Sequence, residues 1–451
     1  MRLFKAVLLL LSIVMPLTTP AQNKIFPYKY FTDDLPNGLR VITIPTDYPN
    51  IVALYIVVGT GSRNEVEPGK SGFAHLFEHL MFRGTDKFPT AKYEDIMKKA
   101  GADSNAYTSD DRTVYHTVFS KEDLDQIMML EADRFQNLKV PIDLFKTETK
   151  AVLGEYNKNA ANPVVKLFEV MRDTAYDTHT YKHTTMGFLR DVENMPNMYD
   201  YSLDFFKRYY RPENTTIIVA GDVKHENVSQ LVNKYWATWQ RGNYTPEIPN
   251  EAEQTEPRTG NVDWPTPTLP WVMVAFKSPA YSDEQKDHAT LDLIAALGFS
   301  QNSELYQRLV IKEQKVDSLF SDFEDHRDPY LASIGARVKD SKDVEYVKNE
   351  IVKTCESFKT TLVQKEKLDA VKSNLRYSFA LGLDNSEAIA AGLAPYIALR
   401  RTPETVNKVY DLYAAVTPED IQAMAQKYFV EKHRTIVTLS HKENAKNAAK
   451  Q

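Results

Sequence analysis

The chain has 451 residues, of which 43% are hydrophobic and 26% are charged, and its formal net charge is −6 at pH 7. This length exceeds what one hydrophobic core usually serves, so we expect two domains. The mild negative charge and the lack of a long lysine or arginine run argue against a nucleic-acid partner.

The first 21 residues have the pattern of a secretory signal peptide. A short basic start precedes an apolar stretch over residues 6–17, and the small residue Ala21 closes the segment. The apolar stretch is too short to span a bilayer, and no later apolar run is long enough to do so. We therefore predict a signal peptide over residues 1–21 and an exported protein, periplasmic or extracellular in a bacterium, without a stable membrane span.

Proline marks a boundary near the middle of the chain. Residues 243–270 contain six prolines among polar and charged residues. Proline removes a backbone donor and resists both helix interiors and central strands, so we predict a Pro-rich linker there. The N-terminal domain is then expected over residues 22–242 and the C-terminal domain over residues 271–451.

The two predicted domains open and close with similar patterns. A helical pattern runs into an apolar, β-branched strand pattern at residues 216–221 and again at 435–440. Strand-like runs also open the two halves, within residues 39–58 and at 271–276. One such match can arise by chance, but agreement at both ends favours duplication. We predict an α+β fold of two related domains, each a largely antiparallel sheet packed with helices.

The strongest chemical signal is an H-x-x-E-H motif in the first domain. Residues 73–82 contain no glycine or proline and are predicted to be helical. His75 and His79 are four residues apart and share a helix face, so both imidazoles can reach one cation. A catalytic zinc site uses three protein ligands and keeps one open position. Glu78 lies beside the pair, where a general base is needed; a merely packed histidine pair is the alternative interpretation.

A third ligand is expected among the glutamates that follow. Glu148 and Glu155 are separated by two helical turns, so one can bind the metal while the other supports it. Glu131 is a further candidate. The residue pattern alone leaves the choice among these three open.

Two other potential metal ligands or nucleophiles have weaker contexts. His179 and His183 also have four-residue spacing, but the threonines around them are typical of a loop. No carboxylate follows them at ligand spacing, so we predict surface or substrate-side residues. Cys355, the single cysteine, lies in a helical pattern without a nucleophile signature and is predicted to be a packed thiol.

The motif residues together resemble a known peptidase family. Residues 75–85 read HLFEHLMFRGT, residues 105–108 read NAYT, and a Glu148 to Glu155 segment follows. This set resembles the inverzincin peptidases, the family of pitrilysin, insulin-degrading enzyme and the mitochondrial processing peptidases. The chain length and the two related halves resemble the short, processing-peptidase branch of that family.

This resemblance implies a role for each residue of the motif. It implies a zinc metalloendopeptidase in which one zinc ion per chain is held by His75, His79 and Glu155, with Glu148 supporting these ligands. Glu78 is then expected to take a proton from a zinc-bound water molecule that attacks a peptide bond. The substrates implied are peptides or unfolded polypeptide segments.

The resemblance also implies a substrate-binding strand. Asn105, Ala106 and Tyr107 are expected in an edge strand to which an extended peptide adds its own backbone hydrogen bonds. An ordinary hairpin strand is the alternative interpretation.

The second half departs from the family pattern at two positions. Active members carry an arginine and, seven residues later, a tyrosine that hold the substrate near the zinc. The corresponding positions here are Val310 and Asp317, with Arg308 nearby. Valine donates no hydrogen bond and aspartate carries no ring, so neither replaces the original contact.

This departure predicts a partner. We expect a heterodimer with a homologous subunit that carries the arginine and tyrosine but lacks the zinc motif. A non-catalytic peptide-binding or scaffold subunit of the same family is the main alternative, and a zinc-dependent binding module is another. The scaffold alternative predicts decay of the metal ligands, whereas His75, Glu78, His79 and Glu155 are all present. Metal content and peptide hydrolysis by the unmodified chain and Glu78→Gln separate the binding module from an enzyme.

Overall fold

The computed structural model describes residues 24–441, so the predicted signal peptide over residues 1–21 lies outside the described residues. Within the described range, no helix has both the length and the apolar character that a membrane span requires. The strands are β1 (Phe31–Asp34), β2 (Arg40–Pro45), β3 (Ile51–Val58), β4 (Asp103–Thr108), β5 (Thr113–Ser120), β6 (Thr215–Gly221), β7 (Arg258–Trp264), β8 (Trp271–Lys277), β9 (Val316–Asp322), β10 (Leu331–Val338) and β11 (Arg434–His441).

Helices connect the strands in both halves. They are α1 (Phe73–Leu80), α2 (Thr90–Lys99), α3 (Leu124–Asn137), α4 (Ile142–Ala160), α5 (Pro163–Ala175), α6 (Leu189–Asn194), α7 (Tyr199–Tyr209), α8 (His225–Trp236), α9 (Lys286–Phe299), α10 (Glu304–Tyr306), α11 (Val344–Thr360), α12 (Lys365–Leu381), α13 (Ser386–Arg400), α14 (Glu404–Ala415) and α15 (Pro418–Tyr428). Helix α10 continues into a π-helical segment, Gln307–Lys312.

The strands form two sheets with the same internal order. The first runs β1-β2-β6-β3-β5-β4 and the second runs β7-β11-β8-β10-β9. Each contains one parallel pair, β2 with β6 and β7 with β11, and the other pairs are antiparallel. Apart from the additional β1, each strand of one sheet has its counterpart in the other. The prediction of two related α+β domains with largely antiparallel sheets is therefore confirmed.

Both faces of the first sheet are buried. Successive residues of a strand point to opposite faces, and residues of β3 from both sets lie in a core. Leu54 and Ile56 of β3 belong to a core shared with α1, α3, α4, α7 and α8. Tyr55 and Val57, between and beside them, belong to a separate core on the other face. The sequence of a strand that is buried on both faces is a continuous apolar run, which explains the apolar pattern of residues 51–58.

Helices α5 and α13 cross between the domains. Helix α13, from the second half, adds Leu393 and Ile397 to the outer core of the first sheet. Helix α5, from the first half, packs on β7 and β11 of the second sheet, where Leu167 and Met171 join a core cluster that includes Met273. Each half therefore covers an apolar sheet face of the other, and the two domains are interlocked.

The range predicted as linker, residues 243–270, contains the edge strand β7. Residues 240–257 contain neither helix nor strand, and Pro257 and Pro265 directly flank β7. Among the described strands β7 pairs only with β11, so prolines at its ends interrupt no hydrogen-bond ladder. The second sheet therefore begins within the predicted linker.

A buried polar network joins the domains where the β4–β5 turn meets the β9–β10 loop. Asp110 accepts two hydrogen bonds from Arg172, each 2.8 Å long, and its Oδ2 lies 3.0 Å from His326 Nε2. The backbone N–H of Arg327 donates to Asp111 over 2.9 Å. Arg172 belongs to the first half and His326 to the second, so Asp110 stands at a charged contact between domains.

The prediction that His179 and His183 are surface or substrate-side residues is wrong. Both are buried, with 4% and 5% of their surface exposed. His179 Nε2 lies 3.0 Å from Asp328 Oδ2 across the domain contact, and His183 Nδ1 lies 3.7 Å from Glu65 Oε2. The polar composition of the loop predicted exposure, but the second domain covers His179, and Glu65 and Phe188 of the first domain lie against His183.

His326 gives the domain contact a pH dependence. Burial opposes its charge, but the hydrogen bond and the negative charge of Asp110 outweigh burial and raise the pKa of His326. The stabilisation is therefore complete below the unfolded pKa of about 6.5 and is lost as pH rises through the raised folded pKa. We expect His326→Gln to lower the free energy of unfolding by about 2 kcal/mol near pH 6 and by less near pH 9. Urea denaturation at both pH values measures this, and an equal loss at both would contradict it.

Candidate metal centre

Helix α1 is fixed at its N-terminus by a buried carboxylate. The Glu65 oxygens accept hydrogen bonds from the backbone N–H groups of Gly72 and Ala74, each 2.7 Å long. These are donors that a helix N-terminus leaves without intrahelical partners. Gly72 has a φ of 92°, a left-handed conformation that favours glycine, and as the N-cap it offers no side-chain acceptor of its own. The Glu65 carboxylate supplies that acceptor and so fixes the start of α1, about one helical turn before His75.

Three potential metal ligands from two helices converge on one point. Glu155 Oε2, on α4, lies 3.5 Å from His75 Nε2 and 3.4 Å from His79 Nε2. The two imidazole rings meet edge to face with centroids 4.9 Å apart. Donors about 2.0–2.1 Å from a tetrahedral zinc ion lie about 3.3 Å from one another, so the observed spacing suits a shared cation.

The protonation state of His75 also suits a ligand. Burial, reinforced by the neighbouring His79, lowers the pKa of His75 to about 4, while Glu155 opposes this shift. The ring is therefore neutral at pH 7 and can offer a lone pair. His75 Nδ1 is buried without a hydrogen-bond partner in the described structure. A neutral imidazole facing a carboxylate is an incomplete pair that a cation would complete, so these residues fit the zinc ion that the sequence implied.

Glu78 lies beside the three converging groups and is held by a neighbouring strand. The Thr108 hydroxyl, at the end of β4, donates to Glu78 Oε2 over 2.6 Å. Burial raises the pKa of Glu78, and the Thr108 hydrogen bond and His79 partly offset that effect. A carboxylate with raised proton affinity and a fixed orientation suits general-base chemistry.

Glu148 and Arg83 lie behind His79. Glu148 forms an ion pair with Arg83 Nε at 2.9 Å, and its Oε2 is 3.9 Å from His79 Nδ1. It therefore faces the ring nitrogen opposite the one that faces Glu155, which is where a group that orients a ligating histidine stands. Glu131, the third glutamate left open by the sequence, is buried elsewhere, where it pairs with Arg134 and accepts from Tyr93.

Strand β4 forms the edge of the first sheet next to Glu78. Asn105, Ala106 and Tyr107 pair with β5 on one side, and the described structure has no strand on the other. An edge strand presents free backbone donors and acceptors to an added strand. Because Thr108 of the same strand contacts Glu78, a peptide added here would run past the converging metal-ligand candidates.

The two departures in the second half have local partners of their own. Val310 packs against the core of the second domain, and Asp317 pairs with Arg337 on β10. Arg308, the arginine nearest to the expected position, pairs with Glu350. Each of these side chains thus has a structural contact within its own domain.

Sequence reasoning missed Glu65. It precedes the motif by ten residues and has no characteristic spacing from it. The available signal was indirect: a glycine directly before a helix offers no capping side chain, so an acceptor must come from elsewhere.

Comparison with known proteins identifies the class. Residues 40–188 match the family described as insulinase (peptidase family M16), and residues 198–375 match the one described as peptidase M16 inactive domain. The zinc protease PqqE of Helicobacter pylori is 30% identical over 418 residues, covering 91% of this chain and 93% of the relative. A second relative is a Schizosaccharomyces pombe protein named as probable mitochondrial-processing peptidase subunit beta. It is 25% identical over 422 residues, and the match covers 89% of this chain and 89% of the relative. The crystal structure of a protease from Helicobacter pylori has a TM-score of 0.86 at 28% identity, covering 92% of this chain and 99% of that one.

The duplicated α+β fold and the H-x-x-E-H helix thus define an inverzincin-type protein. The chain belongs to peptidase family M16. The resemblance to the short, processing-peptidase-like branch is confirmed, and the first match, residues 40–188, includes the whole candidate centre.

Proposed function

We propose that this chain is a zinc peptidase that cleaves peptides or unfolded polypeptide segments. The observation that carries the proposal is the convergence of His75 Nε2, His79 Nε2 and Glu155 Oε2 within 3.5 Å contacts, with Glu78 beside them. These three residues would hold the metal. When bound, zinc supplies Lewis acidity, which makes a peptide carbonyl more electrophilic and water more acidic.

The protein residues around the centre each have a defined task. The Glu78 carboxylate, held at Oε2 by Thr108, accepts a proton from water and returns it to the leaving amine. Glu148, fixed by Arg83, orients the His79 ring. The β4 edge at Asn105, Ala106 and Tyr107 binds the extended substrate by backbone hydrogen bonds and places one peptide bond opposite Glu78.

Metal removal and one ligand variant test this function. We expect the purified chain to contain about one zinc ion at this centre and to lose peptide hydrolysis on chelation, with recovery when zinc is added back. His79→Ala should lose the zinc ion of this centre together with activity, whereas the control His433→Ala, which removes a histidine outside the centre, should keep both. Full hydrolysis by zinc-free protein would reject the proposal.

The second half supports a two-subunit enzyme. By the resemblance, Val310 and Asp317 fall at the positions where the family holds substrate, and the nearby Arg308 pairs with Glu350. The S. pombe relative is named as a beta subunit. We infer that a homologous subunit with an intact arginine and tyrosine but no zinc motif completes the site. Export as a periplasmic or extracellular protein is proposed from residues 1–21 alone.

Peptide cleavage by the chain with and without such a subunit tests the heterodimer. We expect weak cleavage by the chain alone and at least about a tenfold gain with the partner, because positioned substrate contacts act in the transition state. Full activity of the chain alone would reject the heterodimer. Zinc binding without cleavage, even with the partner, would favour a non-catalytic peptide-binding subunit.

A further inference from the structure

A second cluster of potential metal ligands lies in the second domain, apart from the H-x-x-E-H helix. His288 and Asp292 are one turn apart on α9, and Asp325 lies in the loop between β9 and β10. His288 Nδ1 is 3.1 Å from Asp325 Oδ1 and 3.3 Å from Asp292 Oδ2. These separations match those among His75, His79 and Glu155. The three donor atoms are therefore close enough to share one cation.

The hydrogen bonds around this cluster favour a cation over a proton at its centre. Both carboxylates face the same nitrogen, Nδ1, which carries at most one hydrogen and can direct it at one acceptor. His288 Nε2 faces the Glu324 carbonyl at 3.3 Å, so an N–H there leaves Nδ1 as a lone pair. A metal-binding histidine characteristically donates its other N–H to a carbonyl or carboxylate. Tyr413 donates to Asp292 Oδ2 over 2.6 Å and fixes that carboxylate in the same manner.

The charges of the cluster also favour a bound divalent cation. Two carboxylates oppose one imidazole, so even a protonated ring leaves a net negative charge, whereas a divalent cation with a neutral ring gives zero. This point in the domain strongly attracts positive charge.

The loop that carries Asp325 also forms the contact between the two domains. The next three residues each reach across it: His326 to Asp110, the Arg327 N–H to Asp111, and Asp328 to Arg63 and His179. A cation bound by Asp325 and α9 would tie this loop to the helical layer of the second domain.

We propose that His288, Asp292 and Asp325 form a second metal site that binds a divalent transition-metal cation such as Zn²⁺ and fastens the interdomain loop. The donor set of one imidazole nitrogen and two carboxylate oxygens suits zinc and its first-row neighbours. We assign the site a structural role, because Tyr413 and the Glu324 carbonyl hold its ligands and the edge strand β4, where a peptide would bind, belongs to the other domain.

Zinc stoichiometry in a background without the first centre tests this site. The full chain carrying His75→Ala and His79→Ala is dialysed against Zn²⁺, and bound metal is measured by mass spectrometry. We expect about two zinc ions in the unmodified chain, about one in this background, and fewer than about 0.2 after Asp325→Asn or His288→Gln is added. Asp86→Asn, which alters an exposed carboxylate paired with Lys139, is the matched control and should keep about one.

Thermal unfolding gives an independent readout. Zinc should raise the Tm of the background protein by about 3–6 °C and leave the Tm of the Asp325→Asn form unchanged. Circular dichroism confirms that both forms are folded. Background protein that binds no more zinc than the Asp325→Asn form, with no zinc-dependent Tm shift, would overturn the second site. Equal zinc content in the unmodified and background chains would instead count against the first centre.

Discussion

Replacing Glu78 with glutamine is expected to lower kcat for peptide hydrolysis by about 10³-fold while zinc content stays at the level of the unmodified chain. The amide keeps the shape of the side chain and can still contact Thr108, but it cannot accept a proton from water. Because His75, His79 and Glu155 are untouched, the metal should remain bound. Single-turnover cleavage of an unstructured peptide, with the homologous subunit present, measures the effect.

The control for this variant is Glu94→Gln, which removes an exposed carboxylate on α2 and should leave cleavage unchanged. A Glu78→Gln protein that keeps more than about a tenth of the activity would show that another group serves as the base.

Among the variants proposed for the domain contact, Asp110→Ala should lower the free energy of unfolding most. In the Asp110→Ala variant, the Arg172 guanidinium and the His326 ring lose their shared partner. The buried Arg172 charge then keeps a hydrogen bond to the His183 carbonyl but loses its carboxylate partner. Breaking a buried ion pair on one side costs about 3–5 kcal/mol. We expect a loss of that size in the free energy of unfolding measured by urea denaturation.

The matched control is Asp86→Asn, which breaks an exposed ion pair with Lys139 and should change stability little. A loss below about 1 kcal/mol for Asp110→Ala would indicate that water, rather than the protein, satisfies Arg172.

The candidate centre was largely predictable because its main signal is local. Two histidines four residues apart on a helix share a face whatever the rest of the fold does, so His75 and His79 follow from spacing alone. Glu155 is different, because it lies on another helix and only the family resemblance preferred it to Glu131. In the structure, Glu131 pairs with Arg134, three residues later on α3; the sequence shows this spacing, but the spacing alone does not exclude metal binding by Glu131.

The domain architecture was predictable, but the exchange of helices was not. Strand patterns and the repeated end segments indicated two similar sheets, since these patterns depend on residues close together in the chain. The apolar faces of α5 and α13 show that each helix packs against something, but not which sheet it covers. Which sheet each helix covers depends on residues far away in the chain, because several apolar sheet faces could accept the same helix.

The burial of His179 and His183 was missed for the same physical reason. Their neighbours are polar and typical of a loop, which ordinarily lies at the surface. Here His179 contacts Asp328 and Tyr181 packs against Tyr330 of the other half, while His183 lies against Glu65 and Phe188 of its own half. Exposure of a polar loop depends on what packs over it.

An anomalous difference map at the zinc absorption edge, from crystals of the zinc-loaded protein, tests directly whether His75, His79 and Glu155 bind zinc. We expect a strong peak within about 2.0–2.2 Å of His75 Nε2, His79 Nε2 and a Glu155 oxygen. A map without a peak there, or a peak whose ligands exclude Glu155, would contradict it.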